Sequence, residues 1–503
     1  MRCRPAAAEP RFTLLALGCG NTAVESTESN HWTAVLFPTV TFAIFFLIVL
    51  PLNWLTMHNP RNWRIMMLVA SYLFYAWWDP WFVLLLAGST LFNQLIAVRI
   101  FKAEAPRARK ALLWVGIAGN LAFLGWFKYW NFFAGSAQDA AGTLGIQLDP
   151  GFVAVVLPIG ISFYTFMALS YIIDTWRGTY EPVSLSRFAV FLSFFPHLVA
   201  GPIVRPAELI PQFDNPPDPR EVDATRGFAL ILGGLFLKVV LASTCAKLVD
   251  PVFGSPKLHS APEVLLAIYA YAVQIFADFA GYSTIAIGVA LLLGFRFPDN
   301  FNSPYRATSV QDFWRRWHMT LSRWLRDYLY IPLGGNRGSQ FETERNLMLT
   351  MVIGGLWHGA NWTFLFWGAL HGSALIVERL ARGRRTAAGK PPMRKWLAWL
   401  ITFNFVCFAW IFFRAETFSQ ALGVIERLFT GWGQGSPAIS LGVLAAVATG
   451  IGIQFLPVNF WADFQARVSR FPYYAQGAAA GVLLMVINVL GPAGVAPFIY
   501  FQF

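Results

Sequence analysis

GGLWHGANWTF, residues 354–364, sets one imidazole, His358, among tryptophan, phenylalanine, leucine and glycine. Lipid offers no partner to such a ring or to the backbone around it, so both must be satisfied from within the protein. Outward from this point the chain stays largely apolar over 346–381. Similar runs, approaching the roughly 20 residues of a spanning helix, recur near 33–55, 63–79, 81–100, 110–134, 152–175, 226–249, 261–295, 393–413, 437–457 and 474–492. The pattern predicts an all-α integral membrane protein, a multi-helix bundle of about 10 to 12 membrane helices with re-entrant or interfacial pieces.

Composition agrees. Of 503 residues, 56% are hydrophobic, 17% aromatic and only 13% charged, where soluble domains run at about a quarter charged. A formal charge of +12 would suit nucleic acid if it formed one soluble patch, but it does not. Lys102, Arg107, Arg109 and Lys110 form one group, and Arg379, Arg382, Arg384, Arg385, Lys390, Arg394 and Lys395 another, both in short connections. Such clusters mark cytoplasmic loops resting on anionic membrane lipids, and no basic domain is left over for nucleic acid. Cys3, Cys19, Cys245 and Cys407 are too scattered to imply a disulfide or a metal site. Residues 1–34, with a basic start, a short apolar run and a polar stretch, read as an N-terminal extension: disordered, signal-like or a start-site artefact. Residues 35–503 read as one membrane domain.

One segment interrupts the apolar chain with a different rhythm. In DFWRRWHMTLSRWLRDYLYIPLGGNRGS, Val310 just upstream joins Phe313, Trp314, Trp317, Leu321, Trp324, Leu325 and Tyr328 on one arc of a helical wheel, opposite Asp312, Arg315, Arg316, Arg323 and Arg326. That predicts a basic, tryptophan-rich amphipathic helix at the membrane interface. His318 falls at the border of the apolar arc, with Arg315 one turn before it and Ser322 one turn after.

Seven histidines are present. His31, His58 and His259 sit in polar surroundings and read as exposed. His197, in FFPHLVAGPIVRP, lies in a proline-broken apolar segment and suits either a cavity wall or helix-end packing. His318 and His358 are the sharper candidates. His371 lies 220° around an uninterrupted helix from His358, so the two cannot share a face, and its glycine neighbours suggest helix packing. Gln274 and Asp278, i and i+4 in an apolar span, point the same way and suit a proton relay, the orienting partner of a base, or interhelical glue. No phosphate-cradling glycine loop, GxSxG elbow or HExxH helix occurs.

Long ordered words along the chain carry a resemblance. LPIGISFYTFMALSYIIDTWRG, FFPHLVAGPIVRP, FADFAGYSTIAIG, FRFPDNFNSPYRATSVQDFWRRWHMTLSRWLRDYLYIPLGGNR, RNLMLTMVIGGLWHGANWTFLFWGALHG, FAWIFFRAETFSQA and FIYFQF resemble the membrane-bound O-acyltransferases, in the branch that O-acetylates alginate and other polysaccharides. The resemblance implies a bundle around a central funnel or tunnel in the bacterial inner membrane, with His358 and His318 catalytic. His358 would be the general base, and His318 would orient the acceptor or polarise the acyl carbonyl. Trp357, Asn361, Arg315, Ser322, Gln274 and Asp278 are then candidate substrate-binding residues. It also implies acetyl-CoA as the cytosolic acyl donor, no resident cofactor, and a periplasmic acetyltransferase partner. A D-alanyl-transferring relative and a proton-coupled polysaccharide or lipid transporter remain the alternatives, and the oligomeric state stays open.

Overall fold

The computed structural model describes residues 37–147, 155–215, 217–388, 391, 393–457 and 459–491. The expectations for residues 1–34, His31 and the FIYFQF ending lie outside these. Every regular element among the described residues is helical: α1 Val40–Thr56, α2 Pro60–Ala76, α3 Pro80–Lys102, α4 Pro106–Leu124, α5 Trp130–Thr143, α6 Ile161–Arg177, α7 Leu185–Ser193, α8 Phe195–Leu198, α9 Pro206–Leu209, α10 Ala224–Leu235 and α11 Ser243–Gly254. The second half adds α12 Ala261–Leu292, α13 Val310–Trp314, α14 Met319–Leu325, α15 Gln340–His358, α16 Trp362–Ala387, α17 Lys395–Arg414, α18 Phe418–Phe429, α19 Leu441–Gly452, α20 Phe460–Val468 and α21 Tyr473–Leu490.

Starts are written locally. Asn59 and Asp79 cap α2 and α3 through their side chains, each followed by proline at the first helical position, where its missing N–H costs nothing and its fixed φ suits the helix. Ser260 with Glu263 and Ser339 with Glu342 form capping boxes on α12 and α15.

Among the described residues, six helices are long and apolar enough to cross a membrane: Pro80–Lys102, Pro106–Thr143, Ala224–Gly254, Ala261–Leu292, Lys395–Arg414 and Tyr473–Leu490. Leu441–Phe455 with Phe460–Val468, bent by 95°, would make a seventh. The protein is thus multi-pass. Other apolar runs of the sequence are helical but shorter, as in α1, or split. Two of the long spans contain a π-helical turn, Gly125–Tyr129 between α4 and α5 and Phe236–Ala242 between α10 and α11.

The 32-residue α12 is the axis of the bundle, buried on most sides. It meets α10 through glycines seven residues apart on each helix. A Cβ on Gly234 would lie 2.6 Å from the Gly281 carbonyl oxygen, and one on Gly288 would lie 2.7 Å from that of Gly227. Helices that lack a hydrophobic drive to associate in lipid gain contact through such close backbone approach.

Two sequence expectations fail here. The run 346–381 is not one helix: α15 stops at His358, and Asn361 caps α16 by accepting from Thr363 N. The two pack antiparallel, so His358 and His371 both reach Trp367, at 5.2 and 4.9 Å between ring centres. The Val310–Tyr328 segment is also broken: α13 and α14 are separated at 315–318, and a π-turn, Arg326–Tyr330, follows. Its apolar residues are still the more buried ones and its arginines the more exposed, but the break separates His318 from Arg315, while Ser322 remains one turn on, its N donating to His318 O at 3.0 Å.

Candidate active site

Why α15 ends where it does is a matter of space. Gly359 takes an extended conformation, and a Cβ there would sit 2.2 Å from the Phe364 ring. The chain can therefore turn under Phe364 only with glycine at 359. The break leaves the last carbonyls of α15 without intrahelical partners. The π-turn between α4 and α5 supplies them: Tyr129 OH donates to Leu356 O at 3.0 Å, and Lys128 Nζ donates to Trp357 O and, at 3.4 Å, to His358 O. Lys128 Nζ also donates to Ser162 Oγ at 3.1 Å and lies 5.6 Å from the Trp357 ring centre. Two successive residues thus tie down the end of the helix that carries His358.

His358 is 3% exposed and walled edge-on by Trp357, Trp367 and Phe413 at 5.0, 5.2 and 5.3 Å between ring centres. His318 comes from the break between α13 and α14 and is fully buried. Its backbone is left-handed, φ 41°, which only Ser303 shares among the described non-glycine residues. Such a conformation costs about 1–3 kcal/mol and persists only where the surroundings enforce it.

The enforcing group is Asn300. Its backbone carbonyl accepts from Met319 N at 2.9 Å, and its Oδ1 meets His318 Nδ1 at 3.1 Å. The same Oδ1 accepts from Thr320 Oγ1 and Thr320 N at 2.9 and 3.3 Å, while Asn300 Nδ2 donates to Ser283 Oγ of α12 at 3.0 Å. Phe279, one turn before Ser283, stands edge-on to His318 at 4.6 Å. The rings of His318 and His358 lie with centres 6.4 Å apart, tilted by 57°, beside Trp357. His318 Nε2 is buried and has no hydrogen-bond partner among the described residues.

The two histidines singled out from the sequence therefore meet. The other candidates are placed differently. Trp357 lines the site, packed on Phe166 and Phe163. Asn361 spends its side chain on the break, accepting from Thr363 N and donating to Glu416 O at 2.7 Å. Arg315 is exposed, and Ser322 donates to Trp317 O at 3.3 Å. Asp278 does not orient His318. It is paired with Lys238 of the π-turn Phe236–Ala242, both side chains buried, while its neighbour Phe279 is the residue turned toward the imidazole. Gln274 Oε1, one turn earlier, is buried without a partner among the described residues. His371 accepts from Trp314 Nε1 at 3.2 Å, as a packing residue should, and His197 sits among Phe191, Phe194 and Phe297.

Lys128, Asn300 and Lys238 were missed. Lys128 and Lys238 had a readable signal, a lone lysine inside an apolar run. Asn300 had none, since nothing in NFNSPY places its amide under a histidine 18 residues later.

Many helices, a buried aromatic wall and two imidazoles with ring centres 6.4 Å apart define a multi-pass membrane protein with a pair of histidines buried in its core. Residues 70–418 match the model of MBOAT, the membrane-bound O-acyltransferase family, so the chain belongs to that family and is an O-acyltransferase. It is 45% identical over 403 residues to a probable alginate O-acetylase of Pseudomonas aeruginosa, covering 79% of this chain and 75% of that one. It is 38% identical over 425 residues to a peptidoglycan O-acetyltransferase of Helicobacter pylori, covering 78% and 80%. A teichoic acid D-alanyltransferase of Bacillus subtilis is similar at 27% over 279 residues, covering 52% and 69%.

Proposed function

We propose that this chain moves an acetyl group from a cytosolic thioester, acetyl-CoA, across the bacterial inner membrane for O-acetylation of an exported or cell-surface polysaccharide. A periplasmic acetyltransferase completes the transfer to polymer. The observation that carries the chemistry is the 6.4 Å between the rings of His318 and His358. An acceptor hydroxyl bound between the two rings would have both imidazoles at hand, and proton transfer needs a ring nitrogen within about 3 Å of its oxygen. Trp357, Trp367, Phe279 and Phe413 keep bulk water from competing with the acceptor hydroxyl for the thioester.

Supporting the acetyl and polysaccharide parts are the O-acetylating relatives, which match at 38–45% over nearly four fifths of the chain; the D-alanyl relative matches at 27% over about half. Supporting the orientation are the basic groups: Arg109 bonds Trp176 O, Arg177 bonds Asp327 O, and Arg382 bonds Gln311. Arg382 thus joins the second basic cluster to the amphipathic segment directly, and Arg109 joins the first to the end of α6, whose Arg177 bonds that segment; the positive-inside rule favours the cytosol for this face.

The test is acetyl ester on surface polysaccharide in a deletion strain carrying wild type, His358→Ala or His318→Ala. Both variants should make and export polymer without acetyl ester. Normal acetylation by either, or loss of export itself, sinks the reading.

A further inference from the structure

We infer that Trp357, braced from behind by Phe166 and Phe163, is the wall that sets acyl-chain length, so that the site takes a two-carbon acyl group and turns longer ones away. This rests on the acyl-transfer reading above and names the residue that keeps the transferred group to acetyl.

Trp357 is buried and touches both imidazoles, 5.0 Å from His358 and 6.0 Å from His318 between ring centres. An acyl carbon that reacts beside the two histidines therefore lies against the indole. Which end of the substrate meets it follows from what stands behind. Phe166 packs on Trp357 at 5.3 Å and stacks on Trp324 at 3.8 Å, 11° from parallel, and Trp324 meets Tyr328 at 5.1 Å. Tyr328 donates to Asp174 Oδ2 at 2.7 Å and lies against the guanidinium groups of Arg177 and Arg205, 5.1 and 5.2 Å from its ring centre. The run of rings from Trp357 thus ends in a charged network of Asp174, Arg177, Arg205 and Asp327, on the face where Arg109 joins the first basic cluster to α6. That is the proposed cytosolic face, from which the thioester comes, so its acyl end is what reaches Trp357.

A longer chain needs the indole to give way, and its backing is fixed. Phe163 stands edge-on to it at 5.4 Å, and the Lys128 ammonium lies 5.6 Å from its ring centre. Phe166 is held twice, by the stack with Trp324 and by its carbonyl, which accepts from Trp324 Nε1 at 3.0 Å. The start of α6, which carries both phenylalanines, is wedged as well. Gly160 has φ 74°, and a Cβ there would sit 2.4 Å from Leu198 O of α8. Phe163, Phe166 and Trp324 are all buried, and a core packed this closely feels even one added methylene, which forces side chains off their rotamers. A methyl is the smallest group an acyl carbonyl can carry on carbon. Each methylene beyond it presses on a wall that cannot move, and such discrimination runs at roughly 10- to 200-fold per methylene.

The test is a donor series on the full-length protein in nanodiscs: acetyl-, propionyl- and butyryl-CoA, with an alginate oligomer and with glycerol as acceptor probes, the esters read by mass spectrometry. Wild type should use butyryl at least about 100-fold less well than acetyl in kcat/KM, two methylenes at about tenfold each. Trp357→Phe puts a smaller ring at the wall, and Phe166→Leu, one layer back, gives the indole room to retreat. In each, the butyryl-to-acetyl ratio should rise at least about tenfold, in protein shown to be folded by tryptophan fluorescence melting. Wild type that uses butyryl within about threefold of acetyl overturns the inference. So does a wild-type ratio in either variant that still transfers acetyl, and so does loss of all transfer in both folded variants, because a wall sets selectivity and not rate. Length-selective esters on glycerol with none on the oligomer remove the proposed function and leave the wall standing. Acetyl and butyryl esters formed equally on the oligomer remove the wall and leave acyl transfer to saccharide standing.

Discussion

Replacing Lys128 with methionine separates holding a helix end from stabilising a fold. Methionine keeps the length and apolar stem and removes the ammonium. The loss includes the bond to Trp357 O and the weak one to His358 O at 3.4 Å. A buried carbonyl left unsatisfied costs about 1–3 kcal/mol; a cation at a helix C-terminus contributes about 0.3–2 kcal/mol. Against this, an ammonium held away from water carries a penalty of several kcal/mol, which methionine does not. The two sides nearly cancel, so the melting temperature should move little. The rate should move much more. Three successive carbonyls of α15, Leu356, Trp357 and His358, lean on Tyr129 and Lys128, and a slip of about 1 Å at a reacting group costs on the order of 100-fold, about 2.7 kcal/mol. The assay is acetyl transfer by purified protein in nanodiscs, with melting followed by tryptophan fluorescence. Lys128→Met should fall about 100-fold in kcat at near-wild-type melting temperature, and Tyr129→Phe by up to about tenfold through the single bond it loses. Because both act through His358, adding Lys128→Met to His358→Ala should cost nothing further. Wild-type turnover by folded Lys128→Met refutes the reasoning.

Three other perturbations test the frame around the site. Gly355→Val puts a Cβ 2.3 Å from Phe364 O, a backbone atom that cannot swing away, and should cost at least about 1–3 kcal/mol in melting experiments, whereas Gly477→Ala, with nothing within 4 Å, should cost nothing. Lys238→Met or Asp278→Leu alone strands a buried charge and should destabilise by about 3–5 kcal/mol, while the double variant should recover most of it; singles as stable as wild type would deny the pair any structural role. Asp327 lies outside the spans, and although burial pushes its carboxyl up, hydrogen bonds and charge from Arg326 and Arg205 hold it below the usual carboxylate range. A folded-state value below the unfolded ~3.9 gives stabilisation that is present above that pH and lost as pH falls through the folded value; Asp327→Asn should therefore melt lower than wild type at pH 7, and the two curves should converge once pH has fallen through that folded value.

What could be read from the sequence divides along a physical line. Hydropathy is a sum over many residues, so the helical membrane class and the buried face of the Val310–Tyr328 segment were legible even though that segment is not one helix: Phe313, Trp317 and Trp324, before, in and after the break, are buried, and Arg315 is exposed. The break itself depends on a single distant group. Asn300 takes Met319 N, Thr320 N and His318 Nδ1 at once, and no helical period encodes a partner 18 to 20 residues upstream. The same holds at α15. A stop at His358 needs the Phe364 ring against Gly359 and Lys128, some 230 residues away, on the last carbonyls. The helical wheel was therefore wrong at both histidines for one reason: each imidazole sits where its helix has been interrupted by groups from elsewhere in the chain. An intact helix would have carried His318 and His358 at fixed angles on separate rods. Interrupting both is what allows two side chains from different elements to come within 6.4 Å of each other, and the strain of a left-handed histidine is offset by the bonds Asn300 makes in holding it there.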